Sequence, residues 1–195
     1  MTIGVTATGI PFRVRRAVDA DRNGLIAMHD RCSSVSRLHR WMGHAEAMPN
    51  GYLCDALSGS ADHRAMVAEL CADQPRLVAL GSLVRVTAES YELGVLVEDA
   101  FHRVGIGMFL CDRLIAGLPG GCSLIVEAHF ENRALLQGLA RYGAVQLSHS
   151  LGDVTAVVTV THAPLSRAYA SPFRSRRVAA GLPDRDCSPG PAKRP

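Results

Sequence analysis

Phe12-Arg13-Val14-Arg15-Arg16-Ala17 alternates apolar and polar positions, the period of a half-buried strand. Just after it, Asp19 or Asp21 caps a helix whose Leu25, Met28 and Cys32 fall on one face. A second, shorter helix follows a bend over residues 33–41. Residues 48–60, punctuated by Gly and Pro, read as a loop with a helical turn around Tyr52-Leu53-Cys54-Asp55-Ala56-Leu57. The run 63–70 is helical by propensity. However, the polar turn Asp73-Gln74-Pro75 and the apolar run 77–86 make a hairpin the economical solution, so 63–70 is assigned as a strand. Residues 91–97 are another strand, and 105–118 an apolar helix ended by Pro119-Gly120-Gly121. A strand at 122–128 precedes a helix at 132–142, in which Leu135, Leu136 and Leu139 share a face. Strands at 144–149 and 154–161 close the pattern as a hairpin around Leu151-Gly152-Asp153.

This order predicts an α+β fold, a mixed and mostly antiparallel sheet with flanking helices. The helix between 91–97 and 122–128 makes that one strand pair parallel. Residues 1–11 are expected to be a flexible N-terminus and 12–162 the folded domain. Residues 163–195, holding six of the ten prolines, are expected to be a disordered basic tail.

Charge sharpens this division. The tail holds seven basic and two acidic side chains, against 14 and 16 in the remaining 162 residues. A near-neutral body lacks the electrostatic footprint of a nucleic-acid-binding core, so a nucleic-acid partner is disfavoured. No apolar run approaches the ~20 residues that cross a bilayer, and the N-terminal charges follow the apolar stretch rather than precede it. The expectation is a soluble, cytoplasmic protein with no membrane partner. The six cysteines form no C-x-x-C pair and no close ligand spacing with His29, His39 or His44, so no metal is expected.

Chemistry concentrates between Tyr91 and Met108. A strand runs into a short turn, and Gly105-Ile106-Gly107 opens a helix. Bare glycines let backbone N–H groups approach a ligand, and a helix start adds unpaired amides and about half a positive charge. Together these form an anion seat suited to phosphate, with Arg103 at its lip. Neither common nucleotide fingerprint fits: Leu110 stands where a third Rossmann glycine belongs, and no G-K-[ST] follows.

Val97 followed by His102-Arg103-Val104-Gly105-Ile106-Gly107 resembles motif A of the GNAT superfamily of acyl-CoA-dependent N-acyltransferases. Leu124-Ile125-Val126-Glu127-Ala128, Asn132 and Arg141-Tyr142-Gly143-Ala144 resemble its next strand, its asparagine and its closing turn. The segment from Arg31-Cys32-Ser33-Ser34 to Arg40-Trp41 is similar to a bacterial branch that includes protein-lysine acetyltransferases. The resemblance implies a sheet splayed between the parallel strands, with acetyl-CoA or another acyl-CoA in the opening. The pyrophosphate then rests on the amides of Val104, Gly105, Ile106, Gly107 and Met108, beside His102 and Arg103. The pantetheine arm pairs with the backbone of Leu96 and Val97, and Asn132 helps hold the donor. His102 stands in place of the family's Gln or Arg, and Leu139 where its acidic tyrosine is often found, with Tyr142 offset by three.

The implied reaction is direct acyl transfer to a primary amine, on a small molecule or a protein, with a backbone amide at Leu96 or Val97 stabilising the oxyanion. Glu92 is the candidate base; the competing reading is a solvent-facing strand carboxylate. His129 is a second catalytic candidate or a structural histidine, and Glu127 a weaker base. Arg31, Arg37, Arg40 and Trp41 either line an acceptor pocket or form a solvated helix face with one core tryptophan. A homodimer is left open. A non-catalytic acyl-CoA-binding regulatory module is the alternative function, because Leu139 and His102 depart from the family pattern.

Overall fold

The computed structural model describes residues 1–150 and 152–161. Its strands are β1 (Thr2–Val5), β2 (Pro11–Arg16), β3 (His63–Leu70), β4 (Leu77–Arg85), β5 (Ser90–Val97), β6 (Ser123–His129), β7 (Gly143–Ser150) and β8 (Asp153–Val160). They form one sheet in the order β1-β2-β3-β4-β5-β6-β8-β7. All neighbouring pairs are antiparallel except β5 and β6, which run parallel. The helices are α1 (Arg22–Arg31), α2 (Ser34–Trp41), α3 (Asn50–Leu57), α4 (Ile106–Ile115) and α5 (Arg133–Leu139). The fold is therefore the expected α+β arrangement with one parallel pair.

Alternation along the strands divides the core between the two faces of the sheet. Leu25 and Met28 of α1, and Leu53, Ala56 and Leu57 of α3, pack with Val67, Leu80 and Leu96. On the other face, Leu114 and Ile115 of α4 and Leu139 of α5 pack with Leu93, Leu124 and Val158. Phe12, Val14, Ile106 and Leu110 continue that face toward the β2 side. Leu25, Met28, Ile106 and Leu110 are fully buried, and truncating such a side chain costs about 2–5 kcal/mol.

Three expectations change. Residues 1–11 are not a structureless lead-in: Thr2–Val5 pairs antiparallel with β2, and the following turn reaches the segment just before α4, where Ala7 N–H donates to Val104 C=O at 3.0 Å. Residues 50–57 form two helical turns rather than one, because Leu53, Ala56 and Leu57 meet the core on one face. The helix read as 105–118 ends at Ile115, and that read as 132–142 ends at Leu139. The tail expected at 163–195 lies outside the described residues.

Candidate active site

Glycine at 105 is required by its backbone: at φ 99° it turns the chain into α4, two residues after Arg103 at φ 59°. The ladder of α4 begins with Phe109 N–H donating to Gly105 C=O at 3.0 Å, so the amides of Ile106, Gly107 and Met108 precede the first intrahelical bond. Ile106 buries its side chain completely and offers the site only its backbone. A Cβ at Gly107 would sit 3.5 Å from Val97, so the first turn of α4 lies close against the end of β5. Asn132, just before α5, makes no capping bond with its side chain. Gly105, Gly107, Met108 and Asn132 line one wall of a cleft of about 730 Å³.

The cleft exists because β5 and β6 part. Their register runs only from Ser90↔Ser123 to Glu92↔Ile125, and past that bridge β5 has no partner on that side. Ser123 N–H donates to Glu89 C=O, whereas Glu98 N–H donates to Val78 C=O and Val86 N–H to Ser90 C=O. Odd-numbered residues of β5 thus direct their backbone groups toward β6, and even-numbered ones toward β4. The bridge Glu92↔Ile125 uses Leu93 N–H, so the free backbone in the opening is Leu93 C=O and the groups of Val95 and Val97. Leu96, expected to offer backbone to a thioester or pantetheine, sits opposite Leu80 and aims its amide into the β4 ladder; that assignment is corrected to its odd-numbered neighbours. His102 Nε2–H donates to Val97 C=O at 2.8 Å, so one edge carbonyl is already engaged by the chain itself.

Glu92 stands where the strands diverge, exposed and lining the cleft. Across from it lies α2, fixed at its N-terminus by Asp99. That carboxylate accepts from Ser33 N–H (2.8 Å), Ser33 Oγ (2.6 Å) and Ser36 Oγ (2.8 Å). Burial alone pushes the Asp99 carboxyl up, but these bonds outweigh it and hold it below its ordinary range. The C-terminal end of α2 is held by Trp41, whose Nε1–H donates to Nε2 of fully buried His29 at 3.1 Å. Trp41 also meets the Tyr52 ring edge-on at 4.9 Å. Among the arginines expected near an acceptor, Arg40 and Trp41 line the cleft. Arg31 instead pairs with buried Glu98 at 3.0 Å, and Arg37 donates to Glu46 C=O at 3.3 Å.

His129 does not line this cleft. It stacks on His39 at 4.7 Å, and its Nδ1 lies 3.8 Å from Glu131. His39, His129 and Glu131 bring one ligand atom each to within 4.8 Å of one another at the cleft rim, a donor cluster that spacing in the sequence did not reveal. Tyr142 is buried on the opposite side of α4, donating to Asp112 at 2.7 Å. Burial pushes its phenol far up, the hydrogen bond to Asp112 adds to this against the opposing charge of Arg141, and the residue does not line the cleft. Leu139 is likewise fully buried. Tyr52, which the sequence reading did not single out, lines the cleft with its hydroxyl buried and unpartnered.

No family model matches the sequence, and no curated protein matches it. Among solved structures, the chain is similar to the GNAT domain of S. lividans PAT, at 17% identity and a TM-score of 0.69, over 82% of this chain and 96% of that one. It is similar to a spermidine N-acetyltransferase from Vibrio cholerae in complex with CoA and spermine, at 13% identity and a TM-score of 0.56, over 78% and 96%. A cAMP-binding acyltransferase from Mycobacterium smegmatis matches at 20% identity and a TM-score of 0.56 over 85% of this chain, which spans half the length of that protein. The likeness is one of fold: this chain has the fold of the GNAT acyltransferases.

Proposed function

We propose that the protein is an acyl-CoA-dependent N-acyltransferase, with acetyl-CoA as the default donor. The observation that carries this reading is the placement of the Gly105–Gly107 helix start beside the unpaired edge of β5, at the wall of one cleft. A diphosphate suits the free amides of Ile106, Gly107 and Met108, where the helix end is positive and water is not needed to satisfy the N–H groups. An extended pantetheine arm suits the β5 edge, as an added strand would.

Glu92 takes the proton. The amine nitrogen attacks the thioester carbonyl, its proton passes to the Glu92 carboxylate directly or through water, the C–S bond breaks, and coenzyme A leaves as the thiolate, which takes a proton from solvent. The tetrahedral oxygen is stabilised by an outward N–H of β5 at Val95 or Val97. Freeing a lysine-like amine at pH 7 costs about 4.6 kcal/mol, whereas leaving a thiol unprotonated costs only about 2 kcal/mol. A base is therefore worth more here than an acid, which fits a site with Glu92 at the divergence and Tyr142 turned away.

Calorimetry with coenzyme A and a thiol-release assay across an amine panel test the reading. Saturable binding is expected, together with a fall in turnover of about 10²-fold or more for Glu92→Gln at pH 7. That deficit should shrink as pH approaches the pKa of the amine, because the amine then loses its proton unaided. Absence of coenzyme A affinity overturns the reading. Binding without thiol release for any amine leaves a non-catalytic binding module.

A further inference from the structure

Arg40 is a cation without a counter-ion. Among the described residues no carboxylate lies within ion-pair distance of it; Arg16, Arg37, Arg64, Arg103 and Arg113 share that condition, but of these arginines Arg40 alone both lines the cleft and buries its Nε without an acceptor. Its guanidinium makes one long hydrogen bond, from Nη2 to Ser82 Oγ at 3.4 Å, and its Nε is buried with no acceptor. The side chain is held firmly all the same. It lies 4.5 Å from the centre of the Trp41 ring and 5.0 Å from that of Tyr52. It also lies flat on β5 at Gly94, where a Cβ would come within 2.6 Å of Cζ and Nη2. A glycine inside a strand weakens it, and here its missing side chain is the space the guanidinium fills.

An unpaired guanidinium so placed is expensive to hold unless an anion completes it. The residue whose ring it contacts, Tyr52, carries a second open group, a buried hydroxyl with no partner. Both residues line the cleft, and the β4–β5 register puts Ser82 and Gly94 one step along the same sheet face from Val84 and Glu92. The donors thus lie on the acceptor side of the cleft, about 7 Å along β5 from the candidate base.

We infer that Arg40, with Tyr52, forms a carboxylate-binding subsite, so that one of the two reactants carries a carboxylate near the reacting centre. This deepens the transferase reading and rests on it for the identity of the reactants. The carboxylate belongs either to the acceptor, an amino acid rather than a plain amine, or to the acyl chain, a dicarboxylic acyl group rather than acetyl. A guanidinium with a neighbouring hydroxyl suits a planar, two-oxygen anion, and the same charge disfavours a polyamine.

Trp41 is the only tryptophan of the chain and touches Arg40, so its fluorescence reports on the subsite directly, without turnover. At pH 7.5, titration with succinate and with L-glutamate should give a saturable change that succinamide does not give. Arg40→Gln should abolish that change, and Tyr52→Phe should weaken it. Thiol release then assigns the source. In one arm, acetyl-CoA is offered with free amino acids and with their carboxamides; in the other, succinyl-CoA and butyryl-CoA are compared on one uncharged amine. In one arm the carboxylate member should be favoured by about tenfold or more, a ratio that Arg40→Gln brings toward one. A flat Trp41 titration, or a specificity ratio that survives Arg40→Gln in a protein that still binds coenzyme A, overturns the subsite. Loss of coenzyme A binding in the unmodified protein overturns the transferase reading alone, since the fluorescence arm stands without it.

Discussion

Tyr142 shows how a single hydroxyl separates a structural role from a catalytic one. It lies 4% exposed, and its phenol donates to Asp112, which also faces Arg141 at 3.4 Å. Tyr142→Phe removes one hydrogen bond to a carboxylate that keeps a second partner and some solvent. The expected loss is about 1–2 kcal/mol of stability, read by urea denaturation, with kcat and KM unchanged. A loss of kcat at intact stability would return Tyr142 to the chemistry. The cysteines point the same way: burial pushes the Cys111 thiol up to about 12 and Cys32 up to about 11, so neither is a ready nucleophile at neutral pH. Direct attack by the amine needs no acyl-cysteine, which agrees with a cleft lined by the exposed carboxylates of Glu92, Glu127 and Glu131.

At the scale of elements, the wall of the cleft that carries Arg40 and Trp41 depends on how α2 is docked, and that docking should weaken in acid. Trp41 Nε1–H donates to His29 Nε2, so that nitrogen must carry a lone pair and the proton sits on Nδ1, which has no hydrogen-bond partner. Burial lowers the His29 pKa, as does the charge of Arg37, and the opposing pull of Asp30 does not cancel this. With the folded pKa below the unfolded value of about 6.5, the stabilisation is complete above 6.5 and is lost as pH falls through the folded pKa. Protonation also removes the acceptor that holds Trp41. Trp41 fluorescence should therefore change with a midpoint below about 6.5, and His29→Gln, which keeps an acceptor but does not titrate, should flatten the curve. Burial lowers the His63 pKa too, beside Tyr52, and His63→Gln should leave the transition in place. A transition that persists in His29→Gln excludes this account. Periodicity in the sequence locates α1 and β5 closely, since their apolar spacing decides which side is buried. It misses β1, where Ile3 and Val5 stay 57% and 62% exposed and the strand is held by pairing with β2. It marks Arg40 as a candidate but not its isolation, because the absence of a counter-ion is a property of the assembled surface. The His39, His129 and Glu131 cluster is hidden for the same reason, being drawn from α2 and from the end of β6.

Over the whole molecule, composition and fold together restrict what an acyl donor bound in this cleft can modify. The chain has one lysine, Lys193, and 20 arginines among its 21 basic residues. A guanidinium with a pKa above 12 holds no free lone pair at neutral pH, so the arginine-rich surface is inert to a thioester where a lysine-rich one would react. The amines available for self-acylation are therefore Lys193 and the N-terminus, and Met1 is 76% exposed at the free end of β1. Incubation with acetyl-CoA, followed by intact-mass measurement and tryptic mapping, should show at most two acetyl groups, confined to those two positions. Labelling that is enzymatic should fall in Glu92→Gln, whereas spontaneous chemical acylation should proceed equally in both proteins. A third acetyl group, placed by mapping on a serine or cysteine, would mean that the chain carries an acyl-accepting nucleophile, and direct transfer to the amine would then have to give way to a covalent intermediate.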